Sequence, residues 1–105
     1  MFVLPAHFLV LIKMAKLIIT LRIMPDSPEA DLDNIEKEVI KEIKKFSGET
    51  ELKKEIELIA FGLKALKIIF VSDESKSNLD ELENNIKLIN NVNSVEVIDV
   101  RRAIG

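Results

Sequence analysis

The 105 residues include no cysteine, no tryptophan and no tyrosine, only one histidine, three glycines and three prolines. Without cysteine the chain has no disulfide, no thiolate nucleophile and no cysteine-ligated zinc site. A cytoplasmic location is compatible with that absence and is the expectation here. His7, the one imidazole, sits in an apolar N-terminal stretch, so neither a Ser-His-Asp arrangement nor a histidine general base is expected. Gly48, Gly62 and Gly105 are too scattered to cradle phosphates, and no direct nucleotide binding is expected. Positive charge is also short: 15 Lys plus Arg against 18 Asp plus Glu give a formal net charge of −3, with no overall field to draw in nucleic acid or an anionic membrane.

What the chain does contain is typical of one globular domain, with 48% hydrophobic and 31% charged residues, enough for a single two-layer core. Met1 to Ile12 is apolar but shorter than the roughly 20 residues that cross a bilayer. It also lacks a basic leader and a small-residue cleavage site, so no membrane association is expected. Met14-Ala15-Lys16 reads as a second, more natural start. Residues 1–13 are therefore expected to be an extension from an upstream start codon, outside a domain of residues 14–105. An added strand or a strip packed on the sheet is the alternative.

Lys16 to Met24 alternates, with Leu17, Ile19, Leu21 and Ile23 on one face, the period of a strand. Pro25-Asp26-Ser27-Pro28 ends it, because proline lacks the ladder donor. From Asp31, a good N-cap, Leu32, Ile35, Val39, Ile43 and Phe46 recur at helical spacing until Ser47-Gly48. Glu51 to Leu58 is a charged strand suited to a sheet edge, and Lys64 to Val71 is a second apolar strand. Ser77 with Asp80 forms a candidate capping box for a helix carrying Leu79, Leu82, Ile86 and Ile89, closed by Asn90-Asn91. Val95 to Val100 is the last strand, in which Val95/Val97 and Ile98/Val100 compete for the inward face.

The halves repeat at an offset of 47 residues: Ile19, Leu21 and Ile23 correspond to Leu66, Ile68 and Phe70, and Leu32, Ile35 and Val39 to Leu79, Leu82 and Ile86. The matched positions are those that periodicity sends inward. This βαββαβ order predicts an α+β, ferredoxin-like two-layer sandwich with a four-stranded antiparallel sheet. Its two repeat-leading strands are expected at the centre.

Little in this pattern carries covalent chemistry. Asp33 with Lys37 and Glu83 with Lys87 have the spacing of solvent-facing helix pairs. Asp73, Glu74 and Asp80 are the nearest approach to a cation cluster, and no metal or other cofactor is expected. The open sheet face offers Ile18, Thr20, Arg22, Met24, Ala65, Lys67, Ile69 and Val71 without the stacking aromatics of an RNA-recognition sheet; it is expected to be apolar enough to bind something, and a protein surface or a self-association sheet fits better than stacked bases. Arg22, Lys64, Lys67, Arg101 and Arg102 form a basic set, either scattered solubility charge or a steering surface for an acidic partner. Phe61-Gly62 interrupts two strands at a turn. Its ring either folds back over the sheet edge into the core or stands out as a contact residue.

Three segments carry a resemblance: Ile59-Ala60-Phe61-Gly62-Leu63-Lys64-Ala65-Leu66, Met24-Pro25-Asp26-Ser27-Pro28, and Ser94 to Arg102. In this order they resemble the archaeal elongation factor 1-beta family across about residues 14 to 105. The resemblance implies a guanine nucleotide exchange factor for elongation factor 1-alpha in translation, acting by differential binding and not as an enzyme. It assigns partner contact to Phe61 and Gly62, with Lys64 adjacent. Eukaryotic relatives place a lysine near the C-terminus, linked to disturbing the magnesium site; here Arg101 and Arg102 stand nearest, and guanidinium does not simply replace ammonium. The competing class is a ferredoxin-like regulatory or assembly module that dimerises or binds a small ligand.

Overall fold

The computed structural model describes residues 16–48, 50–73 and 78–103. The expectation for residues 1–13 and the positions of His7, Ser77 and Glu74 lie outside them. Six elements follow in order: β1 (Lys16–Pro25), α1 (Leu32–Ser47), β2 (Leu52–Leu58), β3 (Lys64–Asp73), α2 (Leu79–Lys87) and β4 (Val92–Ala103). The strands form one antiparallel sheet in the order β2-β3-β1-β4, and both helices pack on one face. This is the ferredoxin-like α+β sandwich, with β1 and β3 central and the charged β2 at an edge.

The core follows from the two periodicities. Ile19, Leu21 and Ile23 from β1, Leu66, Ile68 and Phe70 from β3, Ile35, Val39 and Ile43 from α1, and Leu82 and Ile86 from α2 are all buried. Register shows how the repeat closes on itself: Leu21 opposes Ile68, while Ile19 opposes Phe70 and Ile23 opposes Leu66. Each half thus meets the other about a pseudo-two-fold through the Leu21–Ile68 pair.

Helix boundaries are set by local hydrogen bonding. The Asp31 carboxylate accepts from the amides of Asp33 and Asn34 at 3.1 and 3.3 Å, supplying partners for donors that the first turn leaves open. Gly48 ends α1 at φ 75°, its amide donating to the Lys44 carbonyl at 2.8 Å. At α2 the cap differs from expectation by one residue. Asn78 is the N-cap: its Oδ1 accepts from the Glu81 amide and its Nδ2 donates to the Glu81 carboxylate, both at 3.3 Å. The Asn78/Glu81 pair has the same three-residue spacing as Ser77/Asp80, and the asparagine amide satisfies both ends. Closure at the other end is also earlier, with α2 ending at Lys87 and Asn91 turning the chain at φ 71°.

The inward face of β4 is settled by bulges. Val97 opposes Leu21 but Asp99 opposes Thr20, so Ile98 is the extra residue; a second shift leaves out Asn93. The parity change puts Val92, Val95 and Val97 against the core, and turns Val100, opposite Ile19, to the same side. Both competing sets therefore place a valine on the helix-bearing side, where Val95 and Val97 pack on the core and Val100 stays 45% exposed.

Candidate functional site

Between β2 and β3 the chain reverses in a two-residue turn. The Leu63 amide donates to the Ala60 carbonyl at 2.9 Å, and the Ile59 amide donates to the Leu63 carbonyl at 3.0 Å. Ile59 and Ala60 thus oppose the single Leu63, a bulge at the mouth of the turn. Both central residues take positive φ, 53° at Phe61 and 80° at Gly62, the signature of a hairpin turn whose twist matches its strands. Glycine is at home there; phenylalanine is not, and left-handed backbone costs a residue with a Cβ about 1 kcal/mol. No packing offsets that strain, for Phe61 is 98% exposed. The reading of Phe61 as a core ring is overturned: with both turn residues at positive φ, the side chain projects outward.

Pro28 lies beside the turn, 3.6 Å from where a Gly62 Cβ would stand, and the Asp26 amide donates to the Asn91 carbonyl at 2.9 Å. The Pro25–Pro28 segment is thereby tied to both the hairpin and the α2–β4 turn. Two of the three segments that carry the family resemblance meet at this end of the sandwich.

The expected basic set is not brought together. Lys64 stands exposed at the base of the hairpin, opposite Leu58. Arg101 and Arg102 oppose Ile18 and Leu17, and Ile18 opposes Val71. Val71 is seven residues along β3 from Lys64, roughly 23 Å at strand rise. Phe61, Gly62 and Lys64 thus occupy one end of the sheet and Arg101 and Arg102 the other. Arg101 Nε pairs with Asp99 at 2.8 Å.

Nor is the open sheet face the apolar surface expected of it. Register places five cations there (Lys16, Arg22, Lys53, Lys67, Arg101) and five anions (Glu55, Glu57, Asp73, Glu96, Asp99). Arg22 bridges to Glu57 at 3.2 Å across β3, Lys67 lies 3.7 and 3.9 Å from Glu57 and Glu55, and Lys16 Nζ is 2.7 Å from Asp73. Thr20 and Ala65 on this face are buried. The charges that a sequence displays as an unpaired list are largely spent on one another.

Sequence reasoning missed the apolar part of β2. Ile56, Leu58 and Ile59 are 47%, 77% and 41% exposed. The signal was present in the alternation Leu52, Lys54, Ile56, Leu58, masked by the four charges among them. Among the described residues no group of three metal-ligating side chains gathers, and no helix is long and apolar enough to cross a membrane. At exposed Lys54 a hydrogen bond from its ammonium to Glu36, 2.8 Å away, and the charge of that carboxylate raise the pKa above the ordinary lysine range.

The architecture and the site define a ferredoxin-like α+β domain that presents an apolar hairpin at one end of its sheet. Residues 18–103 match the EF-1 guanine nucleotide exchange domain. The chain is 41% identical over 83 residues to elongation factor 1-beta of Nanoarchaeum equitans, covering 79% of this chain and all of that one. It is 37% identical over 90 residues to elongation factor 1-beta of Methanothermobacter thermautotrophicus, covering 85% and 98%. Among solved structures it is similar to the de novo designed protein Foldit4, with a TM-score of 0.56, 21% identity, and coverage of 86% of this chain and 98% of that one; this likeness concerns the fold alone. The chain belongs to the EF-1 guanine nucleotide exchange family, and its role is that of a translation elongation exchange factor.

Proposed function

We propose that this protein promotes GDP release from, and GTP reloading on, elongation factor 1-alpha, with Phe61 as its principal contact. The observation that carries this reading is the ring itself. A large apolar ring held 98% exposed to water at φ 53° carries both backbone strain and a hydration cost in the free protein, and burial against a partner offsets them. Gly62 holds the turn in the conformation that presents the ring.

The mechanism is differential binding. An exchange factor binds the nucleotide-free GTPase more tightly than the GDP-bound form, and linkage then requires that it weaken GDP by the same factor. Release follows from disturbing the magnesium and phosphate contacts that order the switch regions. No covalent step is needed, and the site offers no nucleophile-base pair. The balanced charge of the open face supports a role without nucleic acid, whose phosphates call for net positive surface. Placed about 23 Å along the sheet, Arg101 and Arg102 form a second contact separate from Phe61.

The test is release of fluorescently labelled GDP from the cognate elongation factor 1-alpha by stopped flow with rising amounts of this protein. The expected result is saturable acceleration. An unchanged release rate with a folded protein and an active GTPase would contradict the proposal.

A further inference from the structure

Six large apolar side chains stand exposed among the described residues, and four of them, Ile56, Leu58, Ile59 and Phe61, lie in the one hairpin. Ile56 opposes the core residue Leu66, and Leu58 opposes Lys64. Strand alternation therefore places Ile56, Leu58 and Lys64 on the helix-bearing face of the sheet. Cover thins along this face of β2: Leu52 is packed against the core, Lys54 reaches Glu36 on α1 at 2.8 Å, Ile56 is 47% exposed and Leu58 77%. The apolar row runs out from under α1 and leads to the Phe61 turn.

We propose that Ile56 and Leu58 extend the Phe61 contact into a docking strip for elongation factor 1-alpha, approached from the helix-bearing side of the hairpin, with Lys64 at its margin meeting an acidic group of the GTPase. This rests on the exchange reading above. Continuity with Phe61 argues for the same partner, since a surface that covers the ring also meets the residues that flank it. Charge argues the same way. Lys64 makes no ion pair among the described residues, and the hairpin carboxylates Glu55 and Glu57 point to the other face, so an acidic group of the partner meets an uncommitted cation there. A second copy supplies a second Lys64 and no hairpin carboxylate on that face. Most charges of the open face are already paired with one another and leave little for a partner there.

The experiment compares wild type, Leu58→Thr, Ile56→Thr and Glu96→Gln in the labelled-GDP release assay, with sedimentation of each and a thermal melt to confirm the fold. Threonine removes apolar surface while giving the strand the β-branching it favours, kept at position 56 and introduced at position 58, and Glu96 is an exposed open-face residue. For Leu58→Thr the half-saturating concentration is expected to rise about tenfold, as when most of a leucine's burial is lost, with the maximal rate unchanged. Ile56→Thr is expected to move the same way by less, and Glu96→Gln not at all. Wild-type activity with unchanged half-saturation in both threonine variants would overturn the strip and leave the exchange reading standing. A wild-type dimer that Leu58→Thr dissociates would also overturn it, assigning the strip to a second copy. Absence of exchange by wild type would overturn both.

Discussion

Residue scale is where fold and function pull against each other in this protein. Phe61 at φ 53° and Gly62 at φ 80° share one turn, but only the glycine suits its backbone. Relieving the phenylalanine should therefore not destabilise the domain: Phe61→Gly is expected to raise unfolding free energy by up to about 0.5 kcal/mol, since glycine's greater unfolded-state entropy takes back much of the relieved strain, read as an equal or higher urea midpoint at unchanged slope. The opposite substitution at the neighbour should cost stability. Gly62→Ala is expected to lose about 1–2 kcal/mol, although 3.6 Å to Pro28 leaves room for the methyl group; equal stability in urea would contradict the strain. The sequence marked Phe61 as odd, yet its position in space was not legible, because a Phe-Gly pair in a turn fits both an inward and an outward ring. What decided was the sign of φ at two adjacent residues, which no side-chain pattern encodes.

At the scale of elements, legibility tracked how local the deciding interaction is. Strand β1 and helix α1 were readable because alternation and the Asp31 cap lie within the segment itself. Asp31→Ala is expected to cost about 1 kcal/mol, by chemical denaturation, because Asp33 and Asn34 lose their acceptor. Helix α2 was readable in its stripe but not in its cap, since Ser77 and Asn78 are both good caps with a carboxylate three residues on. The face of β4 was not readable at all. The bulge at Ile98 changes parity in mid-strand, so a strict period of two fails on one side whichever phase is chosen. Strand β2 reads as a charged edge strand, and its place at the edge of the sheet agrees, yet its alternate residues Ile56 and Leu58 are exposed apolar groups.

For the molecule as a whole, the repeat is the organising fact. Its 47-residue offset was visible in the sequence, and the register carries it into space through the opposed pair Leu21–Ile68. With both residues almost wholly buried, Ile68→Ala is expected to cost about 2–5 kcal/mol and to lower the thermal midpoint far more than any change in the hairpin. A destabilisation below 1 kcal/mol would show that the core does not centre there. The basic residues, open in the sequence to both scattered charge and a steering surface, are divided by the sheet. Charges close in sequence composition fall at opposite ends of a long sheet, and those that share its open face are paired with carboxylates from neighbouring strands. Stability thus resides in the repeat-derived core, while the hairpin stands outside it and is free to carry strain. That separation is tested most directly by stopped-flow release of labelled GDP from elongation factor 1-alpha with wild type and with Phe61→Gly, at equal and confirmed folding. The variant is expected to lose most of the acceleration while melting no lower than wild type, whereas full acceleration by Phe61→Gly would contradict the account.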